Sequence, residues 1–349
     1  PPRSTLFPYT TLFRSLAVNA REDARISGAA LQALGGTGDV ANLPTLRDAL
    51  NMDYIHLRVG AVKAMGELRR EEAIPDLATA LLDGHTDVRA AAATALGRIG
   101  GKGIVGPLQG AVDRETDEEV RDRIIAALGR SGVQDGVLAL QVLLVHPEAR
   151  VKVAAVNAVL EIGDPRTAGT LLVDVDPREP AVMEAAIRAI CLLDPNLGMV
   201  ALRPNLRSAS LQLLHDLHNE AGPKGNVFLE AFLTEGTLPQ RSLALDLLLR
   251  RGPEGLRLVR TAAAGNAEAA IRRAALRALV VREDRESLPV FLEGFADADD
   301  GIRGICVEAV GLLGSREQEA RLVAMLEDRA PSVRDRKSTR LNSSHVSQS

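Results

Sequence analysis

One column of residues dictates what this chain can fold into. Ser27, Arg58, Arg89, Arg121, Lys152, Met183, Arg207, Arg241, Arg272, Arg303 and Arg334 recur at steps of 31, 31, 32, 31, 31, 24, 34, 31, 31 and 31 residues. A period of this length, held over so many copies, marks a stacked-repeat protein whose units bury their apolar faces only against neighbours. The residue before the column is apolar in nearly every copy, for example Leu57, Val88, Val120, Val151, Val182, Ile271 and Ile302. Six residues after it comes a small residue and then a large one: Ala64 and Met65, Ala95 and Leu96, Ala127 and Leu128, Ala158 and Val159. Apolar spacing of three and four is helical, so each copy opens with a helix.

That helix is alanine-rich. TDVRAAAATALGRIG, residues 86–100, has five alanines and no aromatic side chain. Bulk must come from elsewhere, and a second helix in each copy supplies it, as in AIPDLATALLD and SLPVFLEGFAD. Pro44, Pro75, Pro107 and Pro289 fall near its start, where a missing N–H does no harm. Gly100, Gly132, Gly163 and Gly314 sit where the first helix should stop. Thr116 and Glu119 have capping-box spacing ahead of another first helix. Trp is absent and aromatics are 2%, which suits close-packed helices and disfavours sheets. The expected fold is all-α, an α-solenoid of about ten two-helix repeats. The 24-residue step before Arg207 is expected to leave too little room for a full second helix around residues 193–206.

In these motifs the chain resembles HEAT repeats, in the short bacterial form called phycobilisome-lyase HEAT-like. The resemblance rests on Asp87, Val88 and Arg89, on Ala95, Leu96 and Gly97, and on GDPR at Gly163 to Arg166. It covers about residues 20–334 and is specific for architecture. It implies that the basic column is a structural ladder tying successive repeats together through acidic and backbone groups near the interhelix turn. Arg58, Arg89, Arg121, Lys152, Arg241, Arg272 and Arg303 take that role, and Ser27 and Met183 interrupt it.

The two ends do not share the pattern. TLFPYTTLFRS, residues 5–15, looks like the translation of a short-read sequencing adapter, and DRKSTRLNSSH, residues 335–345, like that of the opposite adapter. Residues 1–15 and 335–349 are therefore expected to be non-native, leaving 16–334 as the repeat array and the native N-terminus, with any targeting signal, missing. Removing both ends takes away five basic residues (Arg3, Arg14, Arg336, Lys337, Arg340) and Asp335, which moves the formal net charge from −4 to −8. That balance disfavours nucleic acid as a partner. No apolar run in this fragment approaches the ~20 residues of a membrane span. The two cysteines, Cys191 and Cys306, lack metal-ligand spacing, and a reducing, cytoplasmic setting is the simplest expectation.

Chemistry-bearing motifs are sparse. His215 and His218 share a helical face, but no second ligand pair accompanies them, so no metal or other cofactor is expected. The His-Glu dipeptides that hold iron in deoxyhypusine hydroxylase do not occur. Tyr54, Phe228, Phe232, Phe291 and Phe295 read as core residues. The expectation is a non-catalytic scaffold or adaptor that binds a protein or peptide on its concave face; the alternative is a phycobilin-lyase-like enzyme or chromophore-handling protein. Periodicity picks the binding stripe. The columns one and five residues after the ladder lie a helical turn apart and carry Lys63, Asp122, Glu184, Arg188, Asp246, Arg273, Arg277 and Glu308. Mixed signs favour a protein over a polyanion.

Overall fold

The computed structural model describes residues 24–132 and 134–334; both terminal segments assigned to adapter sequence lie outside the described residues. Within them are twenty α-helices joined by short 3-10 turns, and no strand. The architecture is an α-solenoid, in which helices pack on their neighbours in chain order. Two compact units divide the chain, one ending at Gly198 and one beginning at Met199.

In the first unit, helices alternate between the two roles read from the sequence. The first helices are α1 (Ala24–Gly36), α3 (Ile55–Leu68), α5 (Thr86–Ile99), α7 (Glu118–Gly129), α9 (Ala149–Ile162) and α11 (Pro180–Leu193). The second helices are α2 (Leu43–Leu50), α4 (Ile74–Ala80), α6 (Val105–Val112), α8 (Gln134–Leu143) and α10 (Thr167–Asp174). Each odd helix packs on the next odd helix, and each even helix packs on the odd helix that follows it. The alanines explain the first contact. A Cβ added at Gly66 would lie 2.8 Å from Ala95 Cβ, and one at Gly97 3.1 Å from Ala127 Cβ. At Gly35 and Gly129 the Cβ would meet the backbone oxygens of Ala64 and Ala158 at 2.6 and 2.7 Å. The glycine eight residues after the ladder thus sits on the alanine six residues after the next rung. Side chains this small let the helix backbones approach, and Leu77, Ile104 and Leu108 of the connecting turns and even helices fill the remaining core.

Helix α12 (Pro195–Asn205) spans the border between the units. The second unit continues with odd helices α13 (Leu211–Glu220), α15 (Leu238–Leu248), α17 (Ala269–Val281) and α19 (Asp300–Leu313). Its even helices are α14 (Asn226–Glu235), α16 (Gly252–Gly265), α18 (Leu288–Glu293) and α20 (Glu319–Ala324). Bulk here comes from Phe228, Phe232 and Phe291, all fully buried on even helices.

Four readings of the sequence need correction. The stretch 193–206 holds a full second helix, the eleven-residue α12, because α11 and α12 are separated by Asp194 alone. Arg207 is out of register: every other column residue is the fourth of its helix, and in α13 that place belongs to Leu214. The steps around it become 31 and 27 residues, the shorter one reflecting the two-residue link between α14 and α15. Thr116 does not cap α7; Asp117 does, accepting from Val120 N–H at 3.1 Å, while Glu119 pairs with Arg123. Tyr54 is not a core residue, since it stands at the N-cap of α3 and is 44% exposed. Gly314 does end α19, as expected, but in extended geometry, whereas Gly100, Gly132 and Gly163 have the positive φ that favours glycine.

Candidate binding groove

Most ladder residues reach a carboxylate in the next copy's turn. Arg89 sets Nε and Nη2 at 2.7 and 2.9 Å from the carboxylate oxygens of Glu115, in the next copy's turn, and Nη1 donates to Asp83 O in the turn before its own helix at 3.0 Å. Arg58 does the same with Asp83 and with Met52 O and Asp53 O. Arg121 reaches Glu148 and Glu115 O, and Lys152 reaches Glu179 at 2.5 Å. In the second unit Arg272 pairs with Asp297 and Arg303 with Asp328, each also donating to two turn carbonyls. Arg241 is the exception: its acceptors are Gly236 O and the amide oxygen of Asn266. The hydrogen bond from Arg89 holds the Glu115 carboxyl below the usual range despite burial, and that from Arg303 does so for Asp328. The acceptors stand 25 to 27 residues after their rungs and are acidic at all of these rungs except Arg241, where Asn266 takes the place.

A second set of guanidinium groups works in the opposite direction, from the C-terminal ends of odd helices back to the preceding copy. Arg251 donates through Nε to His218 Nδ1 at 2.9 Å and also to His218 O and Gly222 O; Arg282 reaches Leu249 O at 2.9 Å, and Arg70 reaches Gly38 O at 3.4 Å. Burial first, and the cation of Arg251 next, push the His218 imidazole below its ordinary pKa. His218 therefore serves helix packing through Nδ1.

Between the odd helices of the first unit runs a groove of about 890 Å³. Its floor is small and largely apolar: Val59 from α3, and Ala90, Ala91, Thr94 and Ala95 from α5. Its rim carries Lys63, Glu67, Arg98 and Arg123 beside Asp87, Asp117 and Glu119. Arg98 lies 3.8 Å from half-buried Glu67, and Arg123 lies 2.6 Å from Glu119 in a solvent-exposed, weakly held pair. His56 also lines the groove; its Nε2 is buried without a hydrogen-bond partner among the described residues, and its ring meets Tyr54 at 5.7 Å.

Of the eight residues picked by periodicity, Lys63 alone lines this groove. Asp122 faces Arg150 instead, at 2.8 Å. Arg188 donates to Asn157 Oδ1 at 2.8 Å, joining the same column in two copies, and Glu184 stands half-buried one turn before it. In the second unit Asp246 and Arg277 are exposed, Arg273 lies 4.0 Å from Asp299, Glu308 is half-buried, and Gly304 of the same stripe is buried. What the two-column rule missed was its own extension. The groove face also uses the columns two before and nine after the ladder, His56 with Asp87 and Glu67 with Arg98, one turn beyond each end.

Among the described residues no cluster of three or more His, Cys, Asp or Glu could hold a metal ion, and no helix is long and apolar enough to cross a membrane. Cys191 and Cys306 are free and buried in separate units.

Comparison with known proteins finds a family described as HEAT repeats matching residues 54–123 and 104–191. The alpha subunit of phycocyanobilin lyase from Nostoc sp. (strain PCC 7120) is 30% identical over 147 residues, 39% of this chain and 53% of that protein. The chain thus spans about half the length of this curated relative. Two solved structures are similar at lower identity. The complex of CpcE and CpcF of phycocyanin lyase from Nostoc sp. PCC7120 is 23% identical, with 70% of this chain and 91% of that chain covered and a TM-score of 0.36. Human deoxyhypusine hydroxylase in complex with glycerol is 20% identical, with 78% and 96% covered and a TM-score of 0.33.

Proposed function

We propose that this chain, matched by the HEAT-repeat family over residues 54–191, is a non-catalytic scaffold or adaptor that binds a protein or peptide along the concave, odd-helix face of its repeats. The groove in the first unit carries this reading. Four odd helices contribute to it, and neighbouring helices spaced roughly 8–10 Å apart give it a length of roughly 25–30 Å. That is the span of about eight residues of extended chain. A floor of alanine, valine and threonine admits a backbone closely, and a rim of both signs selects a segment of mixed charge over a polyanion. In the second unit the face carrying Asp246, Arg273, Arg277 and Glu308 extends the same proposal. The ladder arginines are assigned to stability, not to partner contact.

A second reading, a lyase-like or chromophore-handling role, is favoured by the similarity to the phycocyanobilin lyase subunit. Two experiments separate the readings. In a pull-down from native lysate, the folded Lys63→Glu/Arg98→Glu variant should lose the protein partner that wild type retains, and Arg273→Glu/Arg277→Glu tests the second unit in the same way. Co-expression with phycocyanobilin should give a colourless protein. A stable coloured complex, with partner recovery unaffected by the groove variant, would replace the scaffold reading with the second.

A further inference from the structure

We propose that the second unit contains a binding site for a small oxyanion, the phosphate or carboxylate group of a small molecule, built around the odd rung of its ladder. Arg58, Arg89, Arg121, Arg272 and Arg303 each reach a carboxylate, but among the described residues Arg241 donates to Gly236 O and Asn266 Oδ1 instead. Arg241 is 8% exposed, and a guanidinium so buried without a counter-charge is costly to hold. Asn266 cannot neutralise it; its Oδ1 is shared with Glu268 N–H, and its Nδ2 donates to Leu233 O. The Nη2 of Arg241, which at the Arg58, Arg89, Arg272 and Arg303 rungs is held by the second carboxylate oxygen, has no such acceptor here.

Beside this rung lies a cavity of about 410 Å³ lined by Arg241 together with Arg203, Arg207, Thr234 and Glu235. Three guanidinium groups face one carboxylate. Arg203 is 3.8 Å from Glu235 and 65% exposed, so its fork remains available, and Arg207 uses Nε on Glu235 O at 3.3 Å. The volume suits a small organic molecule better than a bare ion, and planar forks suit bidentate oxyanions. Arg207 is outside the ladder register and pairs with no carboxylate through its Nη groups among the described residues. The site is built from residues of the second unit alone and does not depend on the scaffold reading.

Isothermal titration calorimetry of the full chain at low salt, with inorganic phosphate, citrate and the neutral control glycerol, tests the proposal and distinguishes phosphate from carboxylate preference. At least one anion should bind saturably and glycerol should not. Arg203→Ser/Arg207→Ser should weaken binding about tenfold or more, as for loss of a charge-assisted hydrogen bond. Glu235→Gln, which removes the competing carboxylate, should tighten it and keeps the test valid if the double variant fails to fold by circular dichroism. Absence of heat with both anions, equal binding by the folded double variant, or weaker binding by Glu235→Gln would each overturn the site.

Discussion

Arg89→Ala removes more than one contact. The side chain of Arg89 is 15% exposed and that of Glu115 only 3%, so the substitution leaves a buried carboxylate without its cation. Three hydrogen bonds are lost: two to Glu115 and one to Asp83 O. Breaking a buried pair from one side costs about 3–5 kcal/mol. Two features reduce that cost. The N–H groups of Thr116 and Asp117 still donate to Glu115 Oε1, and the carboxyl can take up a proton. Protonating a glutamate of ordinary pKa about 4.3 at pH 7 costs about 3.7 kcal/mol, which caps the penalty on the acid. The expected loss at pH 7 is therefore about 2–4 kcal/mol, larger than for an exposed ion pair. Urea unfolding followed by circular dichroism at 222 nm measures it, and a cycle with Glu115→Gln isolates the pair. Glu115→Gln in the Arg89→Ala background should cost less than in wild type, because the stranded charge is gone. A change within about 0.5 kcal/mol for Arg89→Ala, or strict additivity of the two substitutions, would refute the reasoning.

Four further outcomes are expected. Lys152→Arg should raise the urea midpoint, by about 0.5–1.5 kcal/mol in stability, because Lys152 engages one oxygen of Glu179 and leaves buried Oε2 without a partner. Gly129→Ala should destabilise by about 1–3 kcal/mol in the same assay, since its Cβ would stand 2.7 Å from Ala158 O and outweigh the roughly 1 kcal/mol gain in helix propensity. Stability should hold from pH 7 to about 5 and fall below about pH 4: arginine hydrogen bonds lower the pKa values of Glu115, Asp284 and Asp328 in the folded state, so their contribution is present above the unfolded values and lost as acid protonates them. Cys191 and Cys306, pushed up to about 12 by burial, should resist a thiol reagent in the native protein and react only on unfolding.

The period, the helix pairs and the positions of Arg58, Arg89, Arg121, Arg272 and Arg303 were readable because each rung obeys the same local rule in every copy. Where the rule lapses, the sequence misleads. Arg207 resembles a rung by residue type and by the buried Leu213 and Leu214 six and seven residues on, yet it lies before α13, whose fourth residue is Leu214. Proximity across the stack was harder to read than register within a helix. Nothing local to Gly66 announces that Ala95, 29 residues on, packs against it, nor that Arg251 caps carbonyls of a helix 33 residues back. The groove was half legible: the three- and four-residue spacing located Val59, Lys63, Ala90 and Thr94, but which copies gather into one concavity depends on packing between helices.

The central claim, that the odd-helix face of the first unit receives a protein partner, is tested most directly by placing a photocrosslinking amino acid at Thr94 on the groove floor and, as control, at exposed Thr79 on α4. After irradiation in native lysate and mass-spectrometric identification, Thr94 should give a discrete protein adduct that Lys63→Glu/Arg98→Glu abolishes, and Thr79 should give none. Adducts from Thr79 with none from Thr94, or a Thr94 adduct indifferent to the charge reversal, would contradict the account.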